Sequence, residues 1–202
     1  MDTTPRSSSS PPRQQPPRLG PVPGWMRFAG WAALLLPLLS VLWRVAMLSG
    51  ADVGLGLADF YRSTAGTVAY VLALDAAQVL AAVLTFGLIC GWSETVPQWV
   101  PGLRGRRIPP LLPGVLGSAG AAALLWIIGL LLFAFVHSWL GITDGWTPDE
   151  GMGGGHRALL FACYLPFLLW PLAVAATVAG HWARFRRRGR GAEPPAARAG
   201  RR

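Results

Sequence analysis

Four long apolar runs constrain this chain more than any other feature. They occupy residues 25–48, 67–89, 111–136 and 158–179. A helix needs roughly 20 residues to cross about 30 Å of hydrocarbon, and each run has that length. Inside lipid every backbone N–H and C=O must find a partner within its own segment, so the runs are read as helices. The expected fold is all-α, a four-helix transmembrane bundle over residues 25–182. Composition agrees: 52% of residues are hydrophobic and only 13% are charged, against about 25% charged in a soluble domain.

Charge then orients the spans. Every one of the 18 basic residues is Arg, and the net charge is +9. All but Arg44, Arg62 and Arg157 fall in three places: the N-terminal tail and first flank, the 91–110 loop, and the segment after residue 182. Asp52, Asp59, Asp144, Asp149 and Glu150 lie with the Arg-poor loops instead. The positive-inside rule therefore puts both termini in the cytoplasm of a multi-pass plasma-membrane protein. It also accounts for the basic charge without nucleic acid as a partner. Residues 1–24 are Ser/Pro/Arg-rich and read as a disordered tail, not a signal peptide, because the apolar run that follows is too long for an h-region. Residues 183–202 read as a second disordered tail, strongly basic. Trp25, Trp92, Trp99 and Trp182 are expected at the inner interface and Trp43, Trp139 and Trp146 at the outer one, an aromatic belt. Trp126 and Trp170 fall mid-span.

Small residues mark expected contact faces, since membrane helices associate by close packing. The second span offers Ala73, Ala77 and Ala81. The third offers Gly114, Ser118 and Ala122, with Gly117 and Ala121 beside them. Pro37 in the first span and Pro166 and Pro171 in the fourth each remove a helical hydrogen bond. Cys90 and Cys163 have no CxxC partner and read as small buried hydrophobes.

The costliest residue is Asp75, in "YVLALDAAQVL". An ionised carboxylate there costs about 2.5–3.5 kcal/mol on insertion scales. Arg44 is its expected partner: in antiparallel neighbours, Asp75 lies ~12 Å and Arg44 ~6 Å below the outer helix ends. Gln78 shares the Asp75 face and extends the polar cluster. Two readings follow, a clamp that fixes how the first two spans dock, or a proton or cation relay. Toward the cytoplasm the second span offers only Gln78 and Thr85 to continue a relay. A third possibility leaves Arg44 snorkelling to headgroups with no partner.

The outer loop 141–157, "GITDGWTPDEGMGGGHR", collects Asp144, Asp149, Glu150 and His156, with His137 nearby. Its spacing matches no metal-ligand pattern, and its glycines set no geometry, so a flexible solvated loop is expected, with no metal and no haem. No phosphate loop, HExxH or GxSxG is present. No cofactor is called for.

Residues 91–110 read "GWSETVPQWVPGLRGRRIPP". Pro97 and Pro101 forbid a continuous helix, Trp92 and Trp99 anchor at headgroup level, and Glu94 faces a basic cluster of Arg104, Arg106 and Arg107. Each Arg near an anionic surface is worth about 1 kcal/mol. The pattern Trp92, Glu94, Pro97, Trp99, Pro101, Gly105, Arg106, Arg107, Pro109 and Pro110 resembles a loop of uncharacterised actinobacterial-type multi-pass membrane proteins. That resemblance implies a four-helix membrane protein with no known activity, and an Arg-only chain suits a GC-rich source of that kind. The function expected from the whole sequence is a non-enzymatic accessory or interaction subunit. Its basic cytoplasmic face meets anionic headgroups of the bilayer, or a membrane or cytoplasmic protein. The alternative is a small transporter or permease component with Asp75 on a proton or cation path. A membrane enzyme acting on lipid or quinone is the weakest reading.

Overall fold

The computed structural model describes residues 20–90, 92, 95–96, 104–106, 108–109 and 111–191. It is all-helical, with α1 (Gly24–Leu35), α2 (Leu38–Leu48), α3 (Ala58–Arg62), α4 (Ala65–Gly87), α5 (Leu111–Trp139) and α6 (Gly154–Gly191). Among the described residues, four helical stretches are long and apolar enough to cross a membrane: α1 with α2, α4, α5 and α6. The two central stretches pack on each other, α6 against both α1 and α2. Helix α4 flanks α1 and α2, and α5 flanks α6.

The first span is two rods. Pro37 cannot donate a backbone hydrogen bond, so α1 stops at Leu35 and α2 restarts at Leu38. One buried face continues through the break as Met26, Gly30, Ala33, Pro37, Ser40, Trp43 and Met47. Helix α4 starts two residues before the apolar run, because Thr64 and Thr67 form a reciprocal capping box at 3.1 and 3.3 Å. Helix α5 runs past residue 136 to Trp139 and is closed by Gly141 at φ +66°. There Ile142 N–H donates to the His137 carbonyl at 2.9 Å, as in a Schellman ending.

Helix α6 departs furthest from expectation. It begins at Gly154, inside the loop read as flexible, and continues to Gly191. The segment read as a disordered tail from residue 183 is thus helical over its first part. Hydropathy bounds only the part of a helix that sits in lipid, whereas Ala and Arg support helix in water as well. Arg184 also fastens the extension: its Nε donates to the Gly20 carbonyl at 2.9 Å. Residues 1–19 and 192–202 lie outside the described residues.

The small-residue faces are corrected in part. Helix α4 buries Val71, Asp75, Gln78 and Ala82, while Ala73 and Ala77 are exposed. The polar pair selects the face, because leaving Asp75 to lipid costs more than leaving two methyl groups there. On α5 the buried stripe is Gly114, Ala121 and Ile128, with Gly117 half-buried; Ser118, though exposed, accepts from the Trp182 indole of α6 at 3.0 Å, and Ala122 is exposed. A Cβ on Gly114 would stand 2.9 Å from the Trp182 ring, and one on Gly117 would stand 2.9 Å from Val178 Cγ2. These glycines set how closely α5 approaches α6. Trp43 is buried against Met47 and Tyr164 and is no belt residue. Of the two mid-span tryptophans, Trp170 is 2% exposed and Trp126 is 70% exposed.

The apolar interior forms two clusters. The first gathers Ala33, Ala82, Leu88, Ala121, Trp170, Val174 and Val178. The second gathers Trp43, Met47, Val53, Ala58, Met152 and Leu160. The first adjoins the end of the molecule that carries Arg27, Arg104, Arg106 and the Arg184–Arg188 run, here called the basic end. The second adjoins the acidic end, with Asp52, Asp59, Asp144 and Asp149.

Candidate functional site

Asp75 and Arg44 meet. Asp75 projects from the buried face of α4 and is 5% exposed. Arg44 projects from α2, and its Nε donates to Asp75 Oδ1 at 2.5 Å. The same guanidinium donates from its second nitrogen to Gln78 Oε1, also at 2.5 Å. Gln78 Nε2 then donates to the Pro37 carbonyl at 2.8 Å and to Ser40 Oγ at 2.9 Å. Ser40 Oγ–H donates to that same Pro37 carbonyl at 2.8 Å. On α6, Tyr164 lies close enough to Arg44 and Asp75 to interact with both charges.

Local geometry explains the convergence. Asp75 and Gln78 are three apart on one helix, and so share a face. Ser40 and Arg44 are four apart on α2 and do the same. The Pro37 carbonyl, which accepts from Val41 N–H at 3.2 Å at the start of α2, also faces the Gln78 amide of α4. Arg suits the hub position because its planar fork can hold a carboxylate and an amide oxygen together. Buried charges persist when paired and hydrogen-bonded, and here the pair is neutral overall. Asp75 Oδ2 is buried with no hydrogen-bond partner among the described residues.

Sequence reading missed three members of the site. Ser40 carried a signal, since it stands one helical turn before Arg44. Tyr164 carried only its hydroxyl in an apolar run. The Pro37 carbonyl carried none, because a backbone acceptor has no letter in the sequence.

Among the described residues, the threonine hydroxyls between this network and the basic end are satisfied within their own helices. Thr85 Oγ1 donates to Ala81 O and Thr177 Oγ1 to Ala173 O, each at 2.8 Å within its own helix. His181 is fully buried further along, packed where a Cβ on Gly114 would approach its ring.

The 141–157 loop is stapled down. Trp139 Nε1 donates to Asp149 Oδ1 at 2.8 Å, and Arg157 Nε stands 3.3 Å from Asp149 Oδ2. The Trp139 indole N–H holds the Asp149 carboxyl below the usual carboxylate range; Thr147, the local backbone and Arg157 add to this against partial burial. His156 Nε2 lies 3.8 Å from Asp52 Oδ1, in the first turn of α6. Met152 is buried beneath. A loop rich in glycine is therefore positioned by its few anchoring side chains. Among the described residues no three His, Cys, Asp or Glu side chains converge on a common point.

In the 91–110 loop, Trp92 is half-exposed and packs toward Gly87. Val96 N–H donates to the Arg106 carbonyl at 3.0 Å, and Gly105 N–H to the Val96 carbonyl at 3.2 Å. Gly105 has φ +66°, the left-handed turn that glycine adopts most readily. Arg104 and Arg106 are exposed beside this turn. Glu94, Trp99 and Arg107 lie outside the described residues.

Four apolar helices with a buried polar network define a multi-pass membrane protein. No family model, no curated protein and no solved structure matches the chain.

Proposed function

We propose that this protein is a non-enzymatic accessory subunit of the plasma membrane, with both termini in the cytoplasm. Its basic end docks on anionic lipid headgroups or on a protein held at that surface. The reading rests on the one-sided charge. Arg27, Arg104, Arg106, Arg186 and Arg187 are exposed at one end of the four helices. At the other end Arg62 is spent on Asp59 at 2.8 Å and Arg157 on Asp149. Exposed Arg near an anionic surface contributes about 1 kcal/mol each. Within this reading the Arg44–Asp75–Gln78 network is a clamp, because it ties α2 and the break at Pro37 to α4.

The test is capture of added neutral or anionic vesicles by the protein held in neutral-lipid nanodiscs, where both ends are accessible. Replacing Arg104, Arg106 and Arg107 with Gln should remove most of the preference for anionic lipid. An unchanged preference, together with unchanged protein capture, defeats the docking reading. Labelling of a Cys placed in the 141–157 loop from outside whole cells tests the orientation.

The second reading is a transporter component using Asp75. What favours it is the buried Oδ2 without a partner among the described residues. Asp75→Asn would then abolish flux in vesicles while the fold survives.

A further inference from the structure

The two apolar clusters are divided at a proline in each central helix. In the first span, Ala33, Leu34 and Leu36 belong to the basic-end cluster, and Trp43 and Met47 to the other. Pro37 lies between them. In α6 the acidic-end cluster reaches Tyr164 and the basic-end cluster begins at Phe167. Pro166 lies between them. Each proline removes a hydrogen bond from its rod and crowds the preceding turn, which are the usual causes of a helix kink. The two weak points are neighbours, because α6 packs on α1 before the break and on α2 after it. The Tyr164 and Phe167 rings, with centroids 6.2 Å apart, touch across the dividing line.

Helix α4 has no such break. It runs unbroken from Ala65 to Gly87, past both clusters, and carries Asp75 and Gln78. Gln78 grips the break itself, through the Pro37 carbonyl and Ser40. Arg44 grips from beyond the break, on the segment that the proline leaves free to tilt. A packed core resists continuous deformation, but two cores meeting at a weak plane can move as bodies.

We infer that α2 and the acidic-end part of α6 form a lobe that rocks about Pro37 and Pro166. The Arg44–Asp75 pair, backed by Gln78, is the latch that holds this lobe against α4. The latch is electrostatic and directional, while the hinge is set by the missing backbone bonds. Breaking the first without the second releases a defined motion and leaves the basic-end core intact.

Spin-label distance measurements on the full chain in liposomes test this, in a background with Cys90→Ser and Cys163→Ala. One label pair, at the exposed positions Leu42 and Leu72, reads the distance between α2 and α4 beyond the break. A second pair, at Phe28 and Leu84, reads α1 and α4 before it. The latch is removed by Arg44→Met together with Asp75→Leu, which leaves no orphaned charge and so spares the fold. The Leu42–Leu72 distribution is expected to broaden or shift, while the Phe28–Leu84 distribution stays as it was. Adding Pro37→Ala and Pro166→Ala is expected to narrow the first distribution again. Equal broadening of both pairs, no broadening of either, or broadening that survives the proline replacements each overturns the proposal. If the double charge variant does not fold, Arg44→Gln together with Asp75→Asn, which removes both charges and keeps polar side chains, must give the same selective broadening; its absence is equally fatal.

Discussion

Arg44 Nε stands 2.5 Å from Asp75 Oδ1, and this contact joins α2, the rod beyond the Pro37 break, to the unbroken α4. The pair is buried, so its two halves are interdependent. Removing one partner leaves the other as an uncompensated charge in a medium that solvates it poorly. Arg44→Ala should therefore destabilise by about 3–5 kcal/mol, read as loss of thermal stability in detergent. Arg44→Met with Asp75→Leu should recover most of that loss. If the double variant is as unstable as the single, the charge argument is wrong.

Gln78 accepts one bond from the Arg44 guanidinium and donates two neutral ones, to the Pro37 carbonyl and Ser40 Oγ, and carries no charge of its own to strand. Interhelical bonds within membranes average about 0.6 kcal/mol. Gln78→Met should thus cost about 1–2 kcal/mol, well below Arg44→Ala. Thermal or denaturant unfolding of the two variants side by side checks the order.

Asp149 supplies a pH dependence outside the membrane. Its folded-state carboxyl titrates below the ordinary range, chiefly because the Trp139 indole donates to it. Its contribution to stability is complete above the ordinary carboxylate pKa of about 4. It vanishes as the pH falls through the lower folded value. The stability difference between the native chain and Asp149→Asn should therefore be largest at neutral pH and close on acidification. A difference that is constant with pH removes Asp149 as the source.

Gly54 and Gly56 provide a paired test of the acidic-end packing. Gly54 has φ +74°, and a Cβ there would stand within van der Waals overlap of His156 Cβ and Cγ. Gly56 has open space around it. Gly54→Ala should destabilise by about 2 kcal/mol, combining left-handed strain with overpacking. Gly56→Ala should change stability by under about 0.5 kcal/mol. Similar melting temperatures for the two variants would sink the account of how α6 seats on the loop before α3.

Helix α5 should respond sharply to one face only. Gly117→Leu pushes into Val178, whereas Gly120→Leu meets nothing. The first should loosen α5 from α6 and the second should not, as read by proteolysis or cross-linking between the two helices.

Apolar length and backbone chemistry made the four spans legible from residues alone, and the polar cost of Asp75 pointed to Arg44 and Gln78. The contact faces were less legible. Ala73, Ala77 and Ala81 form a regular stripe, yet α4 turns Asp75 and Gln78 inward, since rotation is decided by the most expensive group on the helix. The ends of α6 were hidden because hydropathy stops where lipid stops, while the helix is held further by Arg184 at one end and by Met152 and His156 at the other.

What the sequence by itself determined is the number of crossing helices, the one-sided charge and which ionisable side chains stand inside the spans, because each follows from local transfer energies that need no neighbour. What only the tertiary structure decided is which partner each polar group takes. The Pro37 carbonyl, Ser40 and Tyr164 enter the network through the approach of three helices. The two-part core likewise exists only where the first span, broken at Pro37, lies beside the continuous α6 at Pro166. These are relations between segments far apart in the chain, and short-range pattern carries no information about them.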